Sequence, residues 1–125
     1  MNTESKTVLL VDDEPDFLAA AKLALESGGY EVLTAKDAHD ALEADRRHPC
    51  ALAILDINLP DLNGYTLCRE LRDHHAGMDL PVIFLSIRVE LRDALAGLGV
   101  GARDFLSKPV SRGGLLAAVQ RALAA

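Results

Sequence analysis

The fold is decided by "VLLVDDEP", residues 8–15. Val8, Leu9, Leu10 and Val11 run straight into Asp12, Asp13 and Glu14, and Pro15 follows. A short, continuous apolar run reads as a strand covered on both faces, and Pro15 suits the first turn of a helix. The three acids between them repel one another and are costly to desolvate, so a strand that ends in them needs a counter-charge close by.

Working outward, "TVLLV" (7–11), "EVLTA" (31–35), "ALAILD" (51–56), "LPVIFLS" (80–86) and "RDFLS" (103–107) read as five strands. Stretches with helical spacing lie between and after them, starting at Pro15, Asp37, Gly64, Val89 and Ser111. Leu18, Ala21 and Leu25 line one face of the first, and Leu67 and Leu71 one face of the third. Gly28 and Gly29 suit a helix stop, and Asp37 and Ser111 suit N-caps. The pattern is β-α repeated five times, which predicts an α/β domain spanning residues 1–125. Its open parallel sheet should have helices on both faces, with ligands binding at the carboxyl ends of the strands.

Composition narrows the function. The 125 residues are 50% hydrophobic and 26% charged, enough apolar material for one core. A net charge of -6 argues against nonspecific binding to nucleic-acid phosphate or to an anionic membrane. The first residues form neither a signal peptide nor a membrane span, so a cytoplasmic location is expected. Cys50 and Cys68 sit among apolar neighbours and read as packed, reduced thiols. His39, His48, His74 and His75 show no ligand spacing and read as surface histidines, so no zinc site is expected. "GLGVGA" (97–102) has the letters of a dinucleotide fingerprint, but a helix precedes it and a strand follows, the reverse of what that motif requires.

In such a sheet Asp12 and Asp13 lie past the first strand, Asp56 ends the third, Ser86 ends the fourth and Lys108 follows the fifth, all on one edge. Three converging carboxylates call for a hard divalent cation, Mg²⁺ or a similar ion such as Mn²⁺. A lysine and a hydroxyl beside that ion are what a phosphoryl group requires. Asp56, in "ILDINLPDLNG", is the best-placed nucleophile, kept accessible by a loop that Pro60 and Gly64 shape. Glu14 is expected only at the margin.

The set "VDDEP", "LDINLPDLNG", "FLS" and "GARDFLSKP", in this order and at these separations, resembles the receiver domain of two-component response regulators over essentially the whole chain. The resemblance implies a flavodoxin-like (βα)5 sandwich with strand order 2-1-3-4-5. It implies that Asp13 binds Mg²⁺ directly, Asp12 through water, Asp56 as both ligand and phosphoacceptor, and Asn58 through its backbone carbonyl. Ser86 and Lys108 should contact the phosphoryl group, Pro109 should shape the turn through a cis bond, and Phe105 should change rotamer together with Ser86. The implied donor is a phosphohistidine on a histidine kinase or histidine phosphotransfer protein. The implied output is a shift of the face made by the fourth helix, the fifth strand and the fifth helix toward an unidentified effector or output domain. Homodimerisation stays open.

The chain departs from the family pattern at Ile87, where a small residue is usual, and this is expected to hinder water reaching the acyl phosphate. Phe105 replaces a common Tyr and Ser86 a common Thr. Two other readings stand beside the switch. A phosphorylation-independent interaction module is favoured by Ile87 and opposed by the complete set of Asp13, Asp56, Ser86 and Lys108. A phosphohydrolase would carry a second acid two residues after its nucleophile, where Asn58 stands, so a multiple-turnover enzyme is not expected.

Overall fold

Alternation along three central strands divides the core into two layers. In the computed structural model, which describes residues 6–75, 79–87 and 101–124, β1 (Thr7–Val11), β3 (Leu52–Asp56) and β4 (Val82–Ser86) are buried throughout. Leu9, Val11, Ala53, Leu55, Val82 and Phe84 project into one layer, and Val8, Leu10, Leu52, Ile54, Ile83 and Leu85 into the other. This explains why these strands read as unbroken apolar runs: each face has its own helices to cover it. Each fully buried Leu, Ile or Phe contributes about 2 kcal/mol from its removal from water.

The first layer is closed by α2 (Ala38–Arg47) and α3 (Gly64–His74), through Ala38, Ala41, Leu67, Cys68 and Leu71. The second is closed by α1 (Pro15–Ser27) and α4 (Arg112–Ala124), through Ala21, Leu25, Leu115, Ala118 and Val119. The less apolar β2 (Glu31–Ala35) and β5 (Asp104–Ser107) take the two edges, and the all-parallel order is β2-β1-β3-β4-β5. The expected helix from Val89 lies outside the described residues, as does most of "GLGVGA". No helix among the described residues is long and apolar enough to cross a membrane.

The helix starts follow the local chemistry. Pro15 opens α1, Asp37 caps α2 by accepting from Asp40 N–H at 2.8 Å, and Ser111 Oγ accepts from Gly114 N–H at 3.0 Å. Asn63 does the same for α3, accepting from Thr66 N–H at 3.0 Å. Cys50 and Cys68 are both buried thiols, as expected. The histidine expectation is corrected at His75: its side chain is 10% exposed, and Nε2 lies 3.0 Å from both oxygens of the buried Asp45.

Candidate functional site

Strand register brings the acidic residues together. Val11 pairs with Leu55, so Asp12 leaves β1 level with Asp56 at the end of β3. Asp56 pairs with Leu85 and Ser86 with Ser107, and Lys108 N–H donates to the Ser86 carbonyl at 2.8 Å. Asp12, Asp56 and Ser86 are buried while Asp13 is exposed. One carboxylate oxygen from each of Asp12, Asp13 and Asp56 lies within 4.8 Å of the other two.

Lys108 is the counter-charge that the opening stretch demands. Its Nζ makes an ion contact with Asp12 Oδ2 and lies 3.0 Å from Glu14 Oε1 and 3.6 Å from Asp56 Oδ2. The same ammonium sits 4.7 Å from the centre of the Phe17 ring, a cation-π contact from α1. Burial alone would depress its pKa, but the contacts with Asp12 and Glu14 outweigh that and raise it, so the ammonium stays charged. Glu14 thus meets the cluster from its exposed margin, through Lys108. Neither Glu14 nor Phe17 carries a sequence signal for this role, because both are set by how α1 lies against the loop after β5.

Asp56 is raised above the ordinary aspartate value of 3.8. Desolvation is the largest cause, with Asp12 and Asp13 adding to it. The Asn58 N–H, donating to Oδ1 at 3.0 Å, and Lys108 act in the opposite direction. Asp12 Oδ1 accepts from Glu14 N–H at 2.9 Å. Among the described residues its buried Oδ2 is met only by the ion contact with Lys108. A buried carboxylate oxygen left in this state, beside two more carboxylates, fits a hard cation such as Mg²⁺ or Mn²⁺ and its water shell.

The remaining predicted residues surround this cluster. The Lys108-Pro109 bond is cis. Ile87 follows Ser86 directly and is 75% exposed, an apolar side chain standing in solvent at the rim. Phe105 is half-buried, its ring 5.5 Å from that of Phe84, which in turn meets Tyr65 edge-on at 4.9 Å. After Asp56 the chain doubles back, Asn58 bridging to Asn63 and Gly64 N–H donating to the Ile57 carbonyl at 2.8 Å.

The same loop caps a neighbouring helix. Asp61 accepts from Ala38 N–H at 2.9 Å and from His39 N–H at 3.1 Å, tying the loop to the start of α2. These backbone donors hold its carboxyl below the ordinary 3.8. A depressed native pKa adds stability above the unfolded value that is lost as the pH falls through the native one. Asp61→Ala should therefore lower stability slightly at neutral pH, the solvent around this exposed carboxylate screening most of the effect, and the gap from the parent in urea midpoints should close as the pH drops below 3.8.

Comparison with known proteins agrees with this geometry. The family model of the response regulator receiver domain matches residues 8–120. The response regulator GtcR of Aneurinibacillus migulanus is 44% identical over 105 residues, covering 84% of this chain and 42% of that protein. The transcriptional regulatory protein KdpE of Mycobacterium tuberculosis is 38% identical over 116 residues, covering 93% and 50% respectively. The chain thus spans about half the length of the curated relatives it matches. Among solved structures, the chemotaxis protein CheY4 of Vibrio cholerae superposes with a TM-score of 0.91 at 29% identity, covering 96% of this chain and 100% of that one. With the strand order, the edge carboxylates and these relatives in agreement, the chain belongs to the response regulator receiver domain family of two-component signalling.

Proposed function

We propose that this domain is a phosphoacceptor switch, taking a phosphoryl group onto Asp56 from a phosphohistidine of a histidine kinase or histidine phosphotransfer protein. The observation that carries the reading is the pairing of a buried Asp56 with the charged Lys108 at 3.6 Å, beside two further carboxylates. An Asp56 oxygen attacks phosphorus as the P–N bond of the phosphoimidazole breaks, and the electron pair of that bond returns to the imidazole nitrogen. Lys108 and the Ser86 hydroxyl hold the equatorial oxygens of the transferred group.

Asp13, Asp56 and the Asn58 carbonyl would hold Mg²⁺ or Mn²⁺, with Asp12 acting through water. The ion supplies positive charge to a dianionic phosphoryl group. Asn58 stands where a phosphohydrolase would place a general acid, so the domain is a switch and not a multiple-turnover enzyme.

The response is a population shift toward the face that includes β5 and α4 and, outside the described residues, the helix expected from Val89. Moving such an equilibrium from 1:99 to 99:1 takes about 5.5 kcal/mol of differential interaction. Ser86 and Lys108 drawing toward the phosphoryl group supply part of it, Phe105 follows by repacking against Phe84, and Pro109 holds the turn. We assign residues 1–125 to a single receiver domain in the cytoplasm, working through an effector or output domain and, where the shifted face pairs, through a homodimer. The domain itself binds neither nucleic acid nor membrane.

Incubation with phosphoramidate and Mg²⁺ should add one phosphate per chain, stable in acid and labile to hydroxylamine, and EDTA should prevent it. Absence of label despite measurable Mg²⁺ binding would favour the phosphorylation-independent module, the reading that the exposed Ile87 supports. In the switch, Ile87 screens the acyl phosphate from water. Ile87→Ala should then shorten the lifetime of the phosphorylated form several-fold in a decay assay, and an unchanged half-life would remove that role from Ile87.

A further inference from the structure

At the opposite end of the sheet, among the amino ends of the strands, lies a second group of ligating side chains. Asp45 comes from the last turn of α2, Cys50 from the residues just ahead of β3, and His75 from the end of α3. A carboxylate oxygen, Sγ and an imidazole nitrogen from these three lie within 4.8 Å of one another. His74 Nδ1 stands 3.9 Å from Asp45 Oδ2. Together with Pro49 and Arg46, Asp45 and the two histidines line a cavity of about 220 Å³ that gives access from solvent.

We propose that Asp45, Cys50 and His75, with His74 as a fourth ligand, form a binding site for a borderline-soft divalent transition metal ion, Zn²⁺ foremost. The donor set is the argument. One sulfur, two imidazole nitrogens and one carboxylate are the ligands of a tetrahedral zinc centre and a poor match for Mg²⁺, which prefers oxygen alone.

The charges and distances agree with this. The Asp45 side chain is 1% exposed, and its ion-pair partners among the described residues are the two histidines rather than a lysine or arginine. Cys50 N–H donates to Asp45 Oδ1 at 2.9 Å, which orients the carboxylate toward the thiol. Tetrahedral bond lengths put neighbouring ligand atoms about 3.3–3.6 Å apart, so closing Asp45, Cys50 and His75 around an ion takes shifts of about 1 Å.

On binding, the Cys50 thiol gives its proton to solvent and becomes a thiolate. His75 gives the Nε2 proton that faces Asp45 to solvent as well and keeps its proton on Nδ1, so the Nε2 lone pair faces the ion. Two anionic ligands then neutralise the dication, and α2, the turn before β3 and the end of α3 are clipped together far from Asp56.

The test is a titration of the chain with Co²⁺ and then Zn²⁺ in excess Mg²⁺, which occupies the acidic pocket. The expected result is one Co²⁺ per chain, with a thiolate-to-cobalt charge-transfer band and tetrahedral d–d bands, both erased by one equivalent of Zn²⁺. Cys50→Ser and His75→Gln should each weaken Zn²⁺ binding at least about tenfold, while Asp13→Asn leaves it unchanged. Zn²⁺ should raise the melting temperature of the parent but not of His75→Gln. If Cys50→Ser does not fold, the charge-transfer band in the parent and the affinity of His75→Gln decide alone. Absence of the band, undiminished Zn²⁺ affinity in the variants that fold, or loss of Zn²⁺ binding in Asp13→Asn would overturn the site.

Discussion

Asp56→Asn, incubated with phosphoramidate and Mg²⁺, acquires no hydroxylamine-labile phosphate while the parent acquires one per chain. An amide oxygen carries no charge with which to attack phosphorus, and the nearby Asp12 and Asp13 are not substitutes. Asp12 is fully buried and held by Glu14 N–H and Lys108, and Asp13 is exposed, two residues past the end of β1, whereas Asp56 is itself the last residue of a strand. Intact-mass measurement reads this directly. A second readout has the opposite sign: the variant should melt a few degrees higher than the parent without divalent ion. The reason is that burial and two neighbouring carboxylates raise the pKa of Asp56, so its ionised form is disfavoured in the native state. Lys108 keeps Asp12 and Glu14 as partners after the substitution, which leaves no new buried cation unpaired. Label on Asp56→Asn equal to that on the parent would remove Asp56 as the acceptor.

Gly64→Ala should be among the most destabilising single-methyl additions available to this domain. A Cβ at that position would stand 2.5 Å from the Asp56 carbonyl oxygen and 2.9 Å from Ile57 Cα. Both are backbone atoms at the end of a central strand, so no side-chain rotation relieves the contact. Overpacking that must be absorbed by the backbone costs about 3 kcal/mol, or roughly 10 °C in melting temperature for a domain of this size. The strain falls on the segment that aims Asp56, so phosphate incorporation should slow as well, even below the melting transition. Gly101→Ala provides the contrast. There the nearest atoms belong to the movable Arg72 guanidinium, and the strain comes from φ +82°.

The strands were largely legible because their signal is local. Thr7–Val11 and Glu31–Ala35 agree with the sequence reading residue for residue. The fourth strand begins at Val82 rather than Leu80, since Pro81 has no N–H to give to a ladder and serves as an acceptor for Ala53. The five site positions were legible for the same reason: each is fixed by distance from a strand end, and parallel register then gathers the strand ends on one edge. His75 was misread as a surface residue, because nothing in its neighbours records that α3 ends against Asp45 of α2.

The amino-acid sequence alone determined that the chain alternates strand and helix, that its central strands are covered on both faces, and that acids, a hydroxyl and a lysine share one edge. These follow from periodicity and order, which survive without knowledge of packing. Only the tertiary structure decided which groups hold Lys108, that Gly64 must lack a side chain, that Asp61 caps a helix 23 residues before it, and that Asp45, Cys50 and His75 meet. Each of these is a contact between elements remote in sequence, set by how helices lie on the sheet, and a hydrogen bond or ion pair depends on tenths of an ångström that no spacing along the chain encodes.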